Sequence, residues 1–189
     1  KLAGSEVPMA ASPAGAGKLG FTLRVPYGVV GAISPFNFPL ILASSKIAPA
    51  LAAGNTVVHK PAPQTTLSAQ LMCDLLAEAG VPAGVVNLIT GSANELGDAL
   101  VRHPGVDMIA FTGSTKVGRA VASAAGELLK PVAAELGGNA ANLVFADADL
   151  DKVIDTVISS FVYNTGQFCM AGPRLLVERP IYDTVVGIL

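Results

Sequence analysis

Two residues in the second half of this 189-residue chain have reactive side chains in unusual surroundings. Cys169 lies in NTGQFCMAGPR (residues 164–174), after a glycine-containing turn, and such loops often carry catalytic nucleophiles. Glu135 ends an apolar run and precedes two glycines. An apolar site can raise the pKa of a carboxyl group into the range of a general base. Each residue also has a plainer interpretation. Cys169 could be a small buried side chain, and Glu135 could be a carboxylate that reaches solvent.

Two turns carry polar groups that could bind a ligand. Residues 35–39 (PFNFP) hold Asn37 between two prolines, and a rigidly held amide can stabilise an oxyanion. The alternative to a ligand-binding role is that Asn37 forms hydrogen bonds within its own turn. Residues 111–118 (FTGSTKVG) join a strand end to a helix start, where Gly113, Ser114 and free N–H groups could meet a phosphate. The spacing is not GxGxxG and the Walker lysine is absent, so a tight connection without a ligand is the alternative.

Alternating strands and helices must position these residues. Short apolar runs rich in β-branched residues predict strands at 29–33, 56–59, 85–89, 108–111 and 142–145. Alanine- and leucine-rich stretches predict helices at 67–79, from Asn94 to before His103, and at 150–163. This alternation predicts an α/β fold with a Rossmann-like, mostly parallel sheet and helices on both faces.

The composition excludes several classes of ligand. The chain is 51% hydrophobic and 14% charged, as in a well-buried α/β protein, and its net charge of −2 favours neither nucleic acid nor an anionic membrane. Cys73 and Cys169 have no zinc-ligand spacing, and Cys73 lies in a helical apolar pattern typical of a core residue. Without a membrane-length apolar run or a leader, the sequence predicts a cytoplasmic protein that acts on a small molecule and binds no metal.

Five motifs in order resemble the aldehyde dehydrogenase superfamily. They are FNFP (36–39), KPA (60–62), FTGST (111–115), ELGG (135–138) and GQxC (166–169), and the match runs from about Val25 to Arg174. The resemblance implies that an aldehyde is oxidised to a carboxylic acid with NAD or NADP. The reaction would pass through a thiohemiacetal and a thioester on the cysteine.

The resemblance also implies roles for individual residues. Cys169 would be the nucleophile, Glu135 the general base, and Asn37 with the backbone N–H of Cys169 the oxyanion hole. Lys46 matches a lysine of the family's active-site network. His59 and His103 match nothing catalytic, so we expect both to be structural or on the surface.

Further positions match the family's cofactor cleft. Lys60 matches the lysine that hydrogen-bonds the adenosine ribose, and Ser114 would meet the pyrophosphate. The remaining matches are Ser34, Pro35, Phe36, Gly91, Phe111, Gly113, Val117, Gly118 and Leu136. Pro63 replaces a carboxylate that often holds the ribose 2′-hydroxyl in the family, which leaves NAD and NADP both open.

By the same resemblance, residues 1–22 are an irregular lead-in and residues 23–136 a dinucleotide-binding domain. Residues 137–189 would begin a second α/β domain, the catalytic one. We expect the sequence to be a central fragment, because a later family motif that grips the nicotinamide ribose would lie beyond Leu189. The full-length protein would form a homodimer or a homotetramer.

Two other functions remain open. A CoA-acylating aldehyde dehydrogenase transfers the acyl group to CoA and can dispense with the base, so Glu135 favours hydrolysis. A non-catalytic nucleotide-binding module would keep the fold without the reaction, and the presence of Cys169 and Glu135 argues against it. For the substrate, Phe36, Phe168 and Met170 could line an aromatic pocket, as in bacterial dehydrogenases for aromatic aldehydes and semialdehydes.

Overall fold

The computed structural model describes residues 4–7, 13–15 and 17–189. The chain divides into two compact units. The first unit contains Lys1–Phe111 and Val121–Ala133, and the second contains Thr112–Ala120 and Ala134–Leu189. Parts of the predicted lead-in, residues 1–3, 8–12 and 16, lie outside the described residues.

Strands and helices alternate through most of the described chain. The strands are β1 (Glu6–Val7), β2 (Gly20–Phe21), β3 (Val29–Ile33), β4 (Thr56–Lys60), β5 (Val86–Leu88), β6 (Met108–Gly113), β7 (Val132–Leu136), β8 (Ala141–Val144) and β9 (Arg174–Val177). The α-helices are α1 (Pro39–Ala52), α2 (Thr66–Glu78), α3 (Ala93–Arg102), α4 (Thr115–Glu127), α5 (Leu150–Val162) and α6 (Tyr182–Ile188). Short 3-10 turns occupy Pro13–Gly15, Pro63–Thr65, Tyr163–Gly166 and Arg179–Ile181.

The main sheet has the strand order β5-β4-β3-β6-β7. Strand β3 pairs in parallel with β4 on one side and with β6 on the other, and β4 pairs in parallel with β5. The chain therefore builds outward from β3 in one direction and then resumes at β6 on the opposite side. Such a reversal of strand order marks the crevice where doubly wound α/β sheets bind their ligands.

Helices cover both faces of the sheet. Alternate residues of a strand point to opposite faces, so apolar residues on each face pack against a helix. Val30 and Ala32 of β3 pack in a buried cluster with Ala43 and Ile47 of α1. On the opposite face, a Cβ built at Gly31 would lie 3.3 Å from Leu100 of α3. A side chain at this position would crowd α3, so glycine permits the close packing.

The second unit has a smaller parallel sheet. Strands β8 and β9 pair in register from Ala141 opposite Arg174 to Val144 opposite Val177. Val144 is buried in a cluster with Ile154 and Val157 of α5 and Val185 of α6. Two helices thus contribute to one apolar core with the strand pair.

The α/β fold with a parallel sheet flanked by helices is confirmed. The strands predicted at 29–33, 56–59 and 108–111 form within a residue or two of their expected ends, and the strand predicted at 142–145 forms at Ala141–Val144. The predicted lead-in contains β1 and β2, which pair antiparallel. None of the described helices is long and apolar enough to cross a membrane.

Candidate active site

In the first unit, the residues that follow β3 and end β4 are linked by a backbone hydrogen bond. The N–H of Ser34 donates to the carbonyl of Lys60 at 3.1 Å, and both residues are buried. Ile33 stands opposite Lys60 on one side and opposite Phe111 of β6 on the other. Ser34 and Lys60 thus lie at the carboxyl ends of the strands, where the strand order reverses.

Lys60 is a buried cation without an anionic partner among the described residues. Its Nζ donates to the carbonyl of Pro61 at 3.3 Å, and burial lowers its pKa below the ordinary value. No carboxylate in the described ranges forms an ion pair with it. An ammonium has three donors, so Lys60 keeps N–H groups for the oxygen atoms of a ligand.

His59, the residue before Lys60, is completely buried. Its Nε2 is 2.8 Å from the hydroxyl of Ser34, whereas its Nδ1 has no hydrogen-bond partner within the described chain. Burial, with smaller contributions from the cations of Lys46 and Lys60, lowers its pKa to about 4. The imidazole is therefore neutral near pH 7 and is a structural group, one of the two alternatives that the sequence left for it.

The remaining predicted residues of the first unit lie in turns, in α1 and in β6. Asn37 is half-buried in the turn before α1, and Pro39 begins that helix. Lys46 is buried on the face of α1 that packs toward the sheet. The other predicted residues of this unit differ in exposure: Pro35 is half-buried, Phe36 and Gly91 are exposed, and Phe111 is buried.

In the second unit, the predicted pyrophosphate residues surround the start of α4. The hydroxyl of Ser114 accepts from the N–H of Val117 at 3.3 Å, which caps the helix. Thr115, which the sequence did not single out, donates from its hydroxyl to the carbonyl of Gly137 at 3.4 Å. Helix N-termini leave N–H groups outside intrahelical bonding, so this end of α4 can receive an anion.

Gly118 and Leu136 are in close contact beside that helix start. A Cβ at residue 118 would lie 2.3 Å from Leu136 Cδ2, so only glycine permits this separation without a shift of the leucine. Val117, one position earlier, is exposed, and Gly113 at the end of β6 is half-buried. Gly118 and Leu136 therefore define how closely α4 approaches β7.

Gly138, three residues after Glu135, lies close to the backbone of Cys169 in the second unit. A Cβ built on Gly138 would be 3.7 Å from the carbonyl oxygen of Cys169, and Gly138 follows Glu135 by three residues. Both Glu135 and Cys169 are exposed. Phe168 is half-buried and Met170 is exposed beside the cysteine.

Within the described part of the chain, no group of three or more His, Cys, Asp or Glu side chains is arranged to hold a metal ion.

Comparison with known proteins shows the family to which the chain belongs. The model of the aldehyde dehydrogenase family matches residues 1–189. Phenylacetaldehyde dehydrogenase from Pseudomonas fluorescens is 53% identical over 165 residues, which cover 87% of this chain and 33% of that protein. The chain therefore belongs to the aldehyde dehydrogenase family, and it spans about a third of the length of the curated relatives it matches.

Solved structures show the same similarity. An NAD+ complex of aldehyde dehydrogenase from Bacillus cereus superposes with a TM-score of 0.94 at 43% identity, covering 100% of this chain and 38% of that one. An NADP-dependent enzyme from E. coli superposes with a TM-score of 0.93 at 42% identity, covering 98% and 38%. The fold around the candidate site is thus shared along nearly the whole chain.

Proposed function

We propose that the protein to which these residues belong oxidises an aldehyde to a carboxylic acid with NAD or NADP. The observation that carries the proposal is the position of Ser34 and Lys60 at the reversal of strand order between β3 and β6. This is where doubly wound sheets bind nucleotides. The similar solved structures include both an NAD+ complex and an NADP-dependent enzyme.

Considered separately, each unit has groups that suit one part of a dinucleotide. Lys60 has donors left for ribose hydroxyls, and the capped start of α4 can receive a pyrophosphate. Gly118 removes the side chain that would otherwise keep α4 away from Leu136. When bound, the nicotinamide supplies the hydride acceptor that no side chain can provide.

The chain's own residues would carry the rest of the reaction. The thiolate of Cys169 attacks the aldehyde carbon and forms a thiohemiacetal, whose oxyanion Asn37 and a backbone N–H stabilise. Loss of hydride from that carbon leaves a thioester on Cys169. Glu135 then takes a proton from water, which attacks the thioester and releases the acid and the thiol. The exposure of Glu135 is compatible with this role, because its partner is water.

The acyl acceptor distinguishes the leading proposal from the CoA-acylating alternative. A carboxylate at residue 135 can activate water for attack, whereas an enzyme that transfers the acyl group to the thiol of CoA can dispense with such a base. Pro63 carries no charge, so it does not repel a 2′-phosphate. We therefore propose water as the acceptor and leave the cofactor as NAD or NADP.

An aromatic aldehyde is the first substrate to test, because of Phe36 and Phe168 and the similarity to phenylacetaldehyde dehydrogenase. We further propose a cytoplasmic enzyme, since a nucleophilic thiolate must stay reduced and both Cys73 and Cys169 are free thiols. A homodimer or homotetramer is expected from the family resemblance.

The test is NAD(P)H formation from phenylacetaldehyde and a muconic-type semialdehyde, with water alone and with CoA added. Acid formation without CoA, abolished in Cys169→Ser, is the expected result. Formation of acyl-CoA only would favour the alternative enzyme. Cofactor binding without any NAD(P)H from a broad aldehyde panel would favour the non-catalytic module.

A further inference from the structure

Asn142 of β8 joins the two ends of the segment that carries Cys169. Its Nδ2 donates to the hydroxyl of Ser160 at 2.7 Å and to the carbonyl of Gly172 at 2.9 Å. Ser160 lies in α5, before the segment, and Gly172 lies after it. The N–H of Gly172 donates to the carbonyl of Ser160 at 3.3 Å, so the same two residues are also linked directly. We call residues 160–172 the Cys169 loop.

The contact between Asn142 and Gly172 leaves no room for a larger residue. A Cβ on residue 172 would lie 2.5 Å from Nδ2 and 2.9 Å from Cγ of Asn142. Both hydrogen bonds of Asn142 use N–H donors, and an aspartate of the same shape has none to offer. The two N–H donors of the Asn142 amide, and not only its size, therefore add to the backbone hydrogen bond that links the two ends of the loop.

Inside the loop the backbone is held in an unusual conformation. Asn164, Thr165 and Gly166 have successive φ values of 50°, 56° and 74°. A positive φ is a genuine outlier for a β-branched residue such as Thr165. Such conformations persist only where the surrounding structure enforces them, and the two hydrogen bonds of Asn142 lie at the base of this loop.

We propose that Asn142 is a positioning residue for Cys169. It holds the Cys169 loop closed, so that the thiol and the backbone N–H of Cys169 keep one placement during attack and oxyanion formation. This inference rests on the proposed function, in which Cys169 is the nucleophile. Displacement of a reacting group by about 1 Å can cost about a hundredfold in rate, so a modest opening of the loop would be measurable.

Asn142→Asp removes both donors and keeps the shape of the side chain. The chain offers a matched control in Asn87, whose Nδ2 donates to the carbonyls of Val57 at 3.4 Å and of Gly84 at 2.8 Å. Asn87 belongs to the first unit and to no part of the Cys169 loop. Asn87→Asp therefore makes the same chemical change without touching that loop.

The two variants are compared in the complete protein by steady-state kinetics and by amide hydrogen exchange. Asn142→Asp is expected to lower kcat at least about tenfold, with KM for NAD(P)+ within about twofold of the wild type. Exchange should rise at least about tenfold in the Cys169 loop, residues 160–172. Asn87→Asp should leave kcat and the exchange of that segment unchanged, even where it lowers Tm by a similar amount.

Three results would each overturn the inference. They are an unchanged kcat in Asn142→Asp, an equal loss of kcat in Asn87→Asp, and a loss of kcat in Asn142→Asp without faster exchange of the Cys169 loop. If Asn142→Asp does not fold, Ser160→Ala removes one of the two bonds, and a loss of kcat of about threefold or more is then expected. An unchanged kcat in folded Ser160→Ala would count against the role.

Failure of the proposed function is distinguishable from failure of this inference. If the wild type forms no NAD(P)H, the alkylation of Cys169 by iodoacetamide is followed by mass spectrometry of its peptide, apart from that of Cys73. A rate altered at least about threefold in Asn142→Asp and unaltered in Asn87→Asp supports the inference. Equal rates in both variants and the wild type overturn it.

Discussion

Gly118 in α4 lies so close to Leu136 in β7 that a Cβ on residue 118 would stand 2.3 Å from Leu136 Cδ2. We expect Gly118→Val to lower stability by about 1–3 kcal/mol, because leucine must leave its position or the helix must move. Gly126→Ala in the same helix is the control: a Cβ there meets nothing within 4 Å. That substitution should raise stability by up to about 1 kcal/mol through helix propensity. Thermal or urea unfolding measures both, and equal effects of the two changes would refute the contact.

The buried imidazole of His59 predicts a loss of stability in acid. Its pKa is about 4 when folded, against an ordinary 6.5, so the unfolded chain binds a proton between these values that the folded chain does not. Stability should therefore fall as pH drops from 6.5 to 4, by about 3 kcal/mol for this group. His59→Leu should flatten that part of the profile in urea unfolding, whereas exposed His103→Gln should retain it. A steep profile in His59→Leu would show that other groups cause the loss.

The charge of Lys60 is expected to lower the stability of the fold and to strengthen the binding of NAD(P)+. We expect Lys60→Met to raise stability by on the order of 1 kcal/mol, because it removes a buried charge that has no carboxylate partner in the described ranges. The same change should raise KM for NAD(P)+ at least about tenfold, since hydrogen bonds to a charged group contribute about 1.5–3 kcal/mol. Lys152→Met, at an exposed position of α5, should change neither quantity appreciably. A lower Tm with unchanged KM would contradict the account.

Asn37 is expected to act on turnover. Loss of one oxyanion donor typically raises the barrier by about 3 kcal/mol, so Asn37→Ala should lower kcat by roughly a hundredfold or more. Asn139→Ala, at an exposed position just after the two glycines that follow Glu135, should keep kcat near normal. Near-normal kcat in Asn37→Ala would remove Asn37 from the oxyanion hole.

Local patterns in the sequence were enough to predict much of the fold. Strand β3 and strand β6 are short apolar runs bounded by turn residues, and the helix predicted at 67–79 forms as α2, Thr66–Glu78. Strand β9 was not predicted, because the four residues RLLV are too short to show a period. It becomes a strand through pairing with β8, which is a property of the tertiary structure.

Contacts between distant residues could not be predicted from one sequence. Ser34 meets His59 because β3 and β4 pair in a register that places Ile33 opposite Lys60. Asn142 meets Gly172 because β8 lies beside the chain that enters β9. Register depends on which side chains the whole core can bury. The sequence motifs therefore identified the candidate site residues, but the contacts of His59 and Asn142 could not be predicted from them.

The most direct test of the central claim is a single-turnover experiment with Glu135→Gln. Without the base, hydrolysis of the thioester should become the slow step. The account predicts a burst of about one equivalent of NAD(P)H per active site and an acyl mass added to the peptide that carries Cys169. NAD(P)H formation without an adduct on Cys169, or an adduct on another residue, would contradict it.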